Sequence, residues 1–399
     1  METYDIAEAA ERAGISVDEL RRMCELGIIV PDGTGEFTSG HLRKVGVVNA
    51  LMAAGIPMDG LGAAIRQGRV TLEFLDASAF ERFSAASGVT FAEMAERTGV
   101  PIEQLLFIRE AAGSGTPQPT DRIREEELPF AELIELAVGG GLRPIAIQQM
   151  LRSQADGMRR VAETESNTWQ SDVIGPAMAR GVRPDQVLGG EFGDRMSAAT
   201  ERAVVAMYHL QQMQAWTTNI IEGLEAMLAD AGLHTRAEHP PAMCFLDISG
   251  YTRLTEDRGD AAAAELAEDL GRLVQRESLK HGGRPVKWLG DGVMLHFPNP
   301  GRGVAAALDM VDGVADAGLP PAHVGLHAGP VIFQEGDYYG RTVNLAARIA
   351  GYAQPGQVLV SQALVDLSTG PGLAFTAMGP VELKGVAGAT DLFAVHRPH

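Results

Sequence analysis

The chain has 399 residues, enough for two or three domains with sizeable cores. Hydrophobic residues make up 45% and charged residues 21%, a globular profile that excludes a disordered or fibrous chain. The formal net charge of -19 argues against non-specific binding to DNA or anionic membranes, because neutralising phosphate takes a basic face. Along the chain, residues 4–27 are predicted to form two short helices around a turn. Ile6, Ala9, Ala10 and Ala13 share one face, Gly14 turns the chain, Ser16 is a candidate N-cap, and Leu20, Met23 and Cys24 resume the stripe. Residues 91–113 repeat this plan. Ile6-Ala7-Glu8-Ala9-Ala10-Glu11-Arg12-Ala13-Gly14-Ile15 aligns with Phe91-Ala92-Glu93-Met94-Ala95-Glu96-Arg97-Thr98-Gly99-Val100, with Ala-Glu-x-Ala-Glu-Arg-x-Gly in common. The N-terminal half therefore reads as all-α, with two helix-turn-helix-like modules.

From Tyr4 through Leu20-Arg21-Arg22 and Leu26-Gly27-Ile28-Ile29 to Ala54-Gly55-Ile56-Pro57-Met58, the first module (1–70) resembles the DNA-binding head of the MerR family. It departs from that family where DNA would be touched. The wing reads Gly35-Glu36-Phe37-Thr38-Ser39-Gly40 in place of an aromatic-Arg pair, and residues 1–70 hold ten acidic and seven basic side chains. The expectation is packing and regulation, with DNA not a partner. Residues 71–196 are expected to be a helical regulatory region that contains the second module.

Gly113-Ser114-Gly115-Thr116-Pro117-Gln118-Pro119 and the charged run to 127 read as a linker or exposed loop. Helical pattern returns over about 129–180, broken at Gly139-Gly140-Gly141, and 182–196 reads as irregular. A long helix is predicted over about 197–231. There Val204, Met207, Leu210, Met213, Trp216, Ile220, Leu224 and Met227 recur every three or four residues, as in a coiled-coil seam or a buried bundle helix. Ala237-Glu238-His239-Pro240-Pro241 is a stiff connector closing the 197–241 segment. The two cysteines, Cys24 and Cys244, read as reduced core residues of a cytoplasmic protein. The acidic N-terminus lacks a signal-peptide plan, and no apolar run approaches the roughly 20 residues that span a bilayer.

From Ala242 the pattern is strand, helix, strand hairpin, helix, strand, helix, strand. Strands are expected at about 242–248, 284–289, 293–298, 322–334, 356–361 and 390–396. Helices are expected at about 251–280, 302–317, 342–352 and 361–368. This order predicts an α+β, ferredoxin-like core. The first strand delivers Asp247 to the small-residue turn Ser249-Gly250. Gly290-Asp291-Gly292 makes a tight hairpin of the kind Asp-Gly favours and carries Asp291. If the strand lies beside the hairpin, two carboxylates meet beside a helix N-terminus, a site for divalent metal and phosphate together.

Four motifs here fall in order. They are Phe245-Leu246-Asp247-Ile248-Ser249-Gly250-Tyr251-Thr252, Lys287-Trp288-Leu289-Gly290-Asp291, Asp337-Tyr338-Tyr339-Gly340-Arg341-Thr342-Val343-Asn344-Leu345-Ala346-Ala347-Arg348, and Leu383-Lys384-Gly385-Val386. Together they resemble the catalytic domain of class III nucleotidyl cyclases over 242–397, and the layout resembles actinobacterial adenylyl cyclases with a helical regulatory half. The resemblance implies that Asp247 and Asp291, with the Ile248 carbonyl, hold Mg²⁺ or Mn²⁺, two per active site. It implies that Ser249, Gly250, Tyr251 and Thr252 offer amides to the β- and γ-phosphates. Lys287 and Asp337 would read adenine, the Lys donating to N1 and the Asp accepting from the 6-amino group. Guanine has the opposite polarity there, and guanylyl cyclases of the family typically carry Glu and Cys, so ATP is the expected substrate. Asn344 would position the ribose, Arg348 would stabilise charge on the α-phosphate, and Lys384 would hold the terminal phosphates.

In that family the metal pair comes from one subunit and the adenine-reading and Asn/Arg residues from the other. One chain here carries both sets, which implies a head-to-tail homodimer with two sites. The implied activity is ATP to 3′,5′-cyclic AMP and pyrophosphate. The alternative is a transcription regulator whose cyclase-like half senses a nucleotide without turnover. A small regulatory ligand or a proton is expected to act at the N-terminal half, with His209, His234 and His239 as candidate pH sensors.

Overall fold

The cap expected at Ser16 starts a helix there. In the computed structural model, which describes residues 3–76, 86–182, 186–187, 191–234, 239–251, 256, 259–368 and 372–398, the chain divides into two compact units, Met1–Glu222 and Gly223–His399. The first opens with β1 (Thr3–Tyr4), α1 (Ile6–Ala13), α2 (Val17–Glu25), β2 (Phe37–Thr38), α3 (Ser39–Ala53) and α4 (Met58–Arg66). Asp5 caps α1 by accepting from the Ala7 and Glu8 amides, both at 2.9 Å. Ser16 and Glu19 cap α2 reciprocally. β1 pairs antiparallel with β2, and Leu20, Met23, Ile29, Phe37 and Val45 fill the core beneath. Cys24 is a partly buried member of this cluster rather than a core residue, while Cys244 is fully buried.

The second module repeats the device. β3 (Ala86–Thr90) leads into α5 (Phe91–Thr98) and α6 (Ile102–Ala111), with a Thr90–Glu93 capping box. The expected linker at 113–127 is corrected in its second half. β4 (Arg122–Arg124) pairs back on β3, burying Ile123. Glu127 accepts from Arg109 at 2.8 and 2.7 Å in a buried ion pair. α7 (Leu128–Gly139) and α8 (Pro144–Thr168) break at the glycines as expected, and α9 (Gly175–Ala179) follows a π-helical turn. α10 (Glu191–Asp230) starts six residues before the predicted 197. Its apolar stripe is not buried in a bundle within the chain. Met207, Leu210, Met213, Trp216, Ile220, Leu224 and Met227 are all more than half exposed.

The second unit is built on β5 (Ala242–Ile248), α11 (Asp260–Lys280), β6 (Arg284–Leu289), β7 (Gly292–Phe297), α12 (Pro300–Asp316) and β8 (Ala322–Ala328), the ferredoxin-like βαββαβ order. β9 (Ile332–Gln334), β10 (Asp337–Tyr339), α13 (Arg341–Ala350), β11 (Val358–Ser361), α14 (Gln362–Leu367), β12 (Ala374–Glu382) and β13 (Ala389–His396) complete it. The seven-stranded sheet has the order β12-β13-β11-β8-β5-β7-β6, and β9 and β10 form a separate hairpin.

Three expectations change here. The strand predicted at 322–334 breaks at Gly329-Pro330 into β8 and β9. β12 was not expected. Of the helix predicted from 251, α11 runs from Asp260, and 252–255 and 257–258 lie outside the described residues.

Alternation along β5 sorts its side chains between two layers. Ala242, Cys244, Leu246 and Ile248 join Leu270, Val274, Val304 and Met310 in the core shared with α11 and α12. Met243 lies on the other face with Met294, Tyr338, Val343 and Ala346, under α13. Asp247, two residues beyond Phe245, falls on that α13 face by the same alternation.

Candidate active site

β5 pairs antiparallel with β7 up to Leu246↔Val293, so its C-terminal end meets the β6–β7 turn. The turn is Gly290-Asp291, closed by Leu289↔Gly292. Its left-handed residue is Gly290 (φ 69), not the expected Asp-Gly pair. The chain thus turns on the residue before the carboxylate. A Cβ placed on Gly292 would lie 3.3 Å from Asp247 Oδ1, which shows how closely that carboxylate rides over the turn. Asp247 Oδ1 accepts from the Ile248 amide at 3.1 Å. Burial raises the Asp247 pKa, and the charge of Asp291 raises it further, against an opposing effect of His323. A carboxylate whose ionisation is opposed by a like charge at one strand end fits a divalent cation with hard oxygen ligands.

Lys287 on β6 and Asp337 on β10 form a direct ion pair. Asp337 Oδ1 also accepts from the Tyr338 amide at 2.8 Å. Beneath them Tyr338 stacks on His296 at 4.4 Å and takes a hydrogen bond from Arg284 at 3.2 Å. Neither Tyr338's role in holding Asp337 nor the His296 stack was anticipated. Both depend on hairpin packing that no spacing encodes.

Asn344 and Arg348 are exposed on one face of α13, while Val343, Leu345, Ala346 and Ile349 are buried on the other. Lys384 is exposed in the turn after β12, anchored by buried Leu383. Among the described residues, the side chains of Asn344, Arg348 and Lys384 make no hydrogen bond or ion pair within the chain. In the turn after β5, the Ser249 amide donates to Pro321 O at 2.9 Å, so it is committed within the chain, unlike the expectation of a phosphate donor. Gly250 is exposed (φ 81), and the Tyr251 hydroxyl donates to Ala263 O at 3.2 Å. Thr252 lies outside the described residues.

A second acidic group sits elsewhere. Glu277, His281 and Asp309 bring ligand-type atoms within 4.8 Å of one another. Asp309 is already held by Lys280 and His281, each at 2.8 Å, and by Arg397. Burial alone would raise its pKa, but these hydrogen bonds outweigh it and hold the carboxyl well below its usual range. Its neighbours make it an ionic tie between α11, α12 and the C-terminal end. His209, His234 and His239 are all exposed.

Residues 235–397 match the family described as adenylate and guanylate cyclase catalytic domain. An uncharacterized protein of Mycobacterium tuberculosis (strain H37Rv) is 32% identical over 260 residues, which cover 62% of this chain and 63% of that protein. The chain thus spans just under two thirds of the length of that relative. A second Mycobacterium tuberculosis protein (strain CDC 1551), named a pH-sensitive adenylate cyclase, is 26% identical over 324 residues, 77% of this chain and 78% of its own. Among solved structures, the adenylyl cyclase CyaB from P. aeruginosa aligns at 23% identity over 40% of this chain and 95% of that one, with a TM-score of 0.36.

Proposed function

We propose, from the membership of residues 235–397 in the family of adenylate and guanylate cyclase catalytic domains, that this chain cyclises ATP to 3′,5′-cyclic AMP and pyrophosphate. The observation that carries the reading is the division of charge. Asp247 and Asp291 crowd one strand end, while Arg348 and Lys384 stand exposed without a partner among the described residues. Such an arrangement suits a substrate that brings a cation for the acids and phosphate for the bases.

The ribose 3′-oxygen bonds to the α-phosphorus as the bond to the β-phosphate oxygen breaks. Asp247, Asp291 and the Ile248 carbonyl would hold Mg²⁺ or Mn²⁺. Bound there, the metal supplies a lowered hydroxyl pKa and neutralised triphosphate charge. Lys287 and Asp337 orient the adenine, each meeting an atom of opposite hydrogen-bonding character. Their ion pair keeps donor and acceptor side by side before the base arrives. Asn344 holds the ribose, Arg348 lies against the charge that grows on the α-phosphate, and Lys384 holds the leaving pyrophosphate.

The active unit is a head-to-tail homodimer in which Asp247 and Asp291 of one copy face Asn344 and Arg348 of the other. Its support is the exposed apolar surface around the adenine-reading pair, with Trp288 and Leu289 on β6 and Ile332 and Phe333 on β9. The N-terminal half regulates it.

The test is incubation of the purified full chain with ATP or GTP and Mg²⁺ or Mn²⁺. Cyclic AMP is expected from ATP. Asp247→Ala should abolish it, and Asp337→Asn should lower kcat/KM for ATP about 10- to 100-fold, the equivalent of one charged hydrogen bond. No cyclic nucleotide under any of these conditions sinks the proposal.

A further inference from the structure

Asp337 stands on the β9–β10 hairpin, a sheet of its own, so among the described residues no strand ladder fixes it against Lys287 on β6. Its neighbour Tyr338 supplies the fixing. The Tyr338 ring is buried and stacked on His296 of β7, with the planes 6° and the centroids 4.4 Å apart, and its hydroxyl accepts from Arg284 of β6 at 3.2 Å. Phe333 of the same hairpin closes on the ring at 5.0 Å. Arg284 and Lys287 are three apart, which on a regular strand would send them to opposite faces. The register of β6 on β7 shifts between Pro285 and Lys287, setting Arg284 opposite His296 and Lys287 opposite Met294. His296 and Met294 alternate to one face, so the bulge brings the arginine that holds Tyr338 and the lysine that meets Asp337 to the same side of the sheet. Asp337 Oδ1 is taken by the Tyr338 amide, which leaves Oδ2 for Lys287.

We infer that Arg284, His296 and Tyr338 form a bracket that determines base specificity, by fixing where Asp337 stands relative to Lys287. This rests on the cyclase reading and adds to it three positioning residues. Polarity alone does not exclude guanine. Adenine presents its 6-amino donor beside its N1 acceptor, and guanine presents its O6 acceptor beside its N1–H donor, the same two kinds of group in exchanged order. A lysine moved to O6 and an aspartate moved to N1–H would read guanine. Lys287 can make that move on its flexible stem. Asp337 cannot while Tyr338 is clamped, so discrimination depends on a held carboxylate as well as on charge. A residue that served folding alone would, when removed, slow turnover of both nucleotides and leave their ratio where it was.

The experiment gives the purified full chain an equimolar mixture of ATP and GTP with Mn²⁺. It reads cyclic AMP against cyclic GMP, a ratio equal to that of the two kcat/KM values. Tyr338→Phe loses the bond from Arg284 and keeps the ring, His296→Leu loses the stack, and His296→Phe restores a flat ring. Tyr338→Phe and His296→Leu are each expected to lower the ratio about 10-fold, the worth of one such bond, and His296→Phe to stay within about twofold of the unmodified chain. Tyr338→Phe keeps its packing and carries the test if His296→Leu does not fold. An unchanged ratio in the folded variants, even with slower turnover, would overturn the inference and leave the cyclase reading intact. An unmodified chain that forms neither cyclic nucleotide would instead remove that reading, and this inference with it.

Discussion

His296 and His327 are partly buried, and among the described residues neither has an acidic partner to repay its protonation. Burial, and then the positive charge of Arg284, lowers His296 to about 4; burial, and then Arg341, lowers His327 to about 4. An unfolded chain titrates these rings near 6.5, so between about 6.5 and 4 it binds protons that the folded chain refuses. Stability is therefore complete above the upper value and drains as pH falls through the window. The slope is up to about 1.4 kcal/mol per pH unit for each ring. Thermal denaturation at pH 7 and pH 5 should show a lower melting temperature at pH 5. His296→Phe, which keeps the stack on Tyr338, should shrink the difference. Equal shifts in the variant and the unmodified chain would contradict this assignment. These rings show where residue-level reading stops. Asp247, Asp291, Lys287 and Asp337 announce themselves by motif. Arg284 and His296 gain meaning only from the cross-strand register and hairpin that set their neighbours.

Elements with strong local signals were the legible ones. Helices opened by Ser16 or Thr90 and closed by Gly14 or Gly99 fall within a residue or two of expectation. β12 was missed because it is an edge strand interrupted by Gly379 and Pro380, which is tolerable where one side needs no ladder partner. β4 was missed because a three-residue strand with one buried side chain, Ile123, has no period to detect. α10 was legible as a helix, but its partner was not. Its stripe lies exposed along the chain, and burying such side chains is worth roughly 1.5–3 kcal/mol each. If a second copy covers it, Leu210→Glu with Trp216→Glu should weaken self-association at least 10-fold by sedimentation and lower specific activity at dilute concentration. Unchanged mass and activity would assign the stripe to another occupant.

At the scale of the whole chain, the proposed catalytic and regulatory roles fall on different sequence. The family match covers 235–397, and no helix among the described residues is long and apolar enough to cross a membrane. If the N-terminal half regulates, the 242–399 fragment and the full chain should differ in turnover under at least one pH or ligand condition. Equal rates throughout would remove that role. A capping box opens one helix in each module, at different places in the repeat, Ser16 with Glu19 on α2 and Thr90 with Glu93 on α5, and in both the glutamate is held below its usual pKa, first by the backbone amide it accepts from. A depressed carboxyl stabilises above its unfolded value and surrenders that support as acid rises through its folded one. Each of these two helix starts, one in each N-terminal module, should therefore loosen as acid rises.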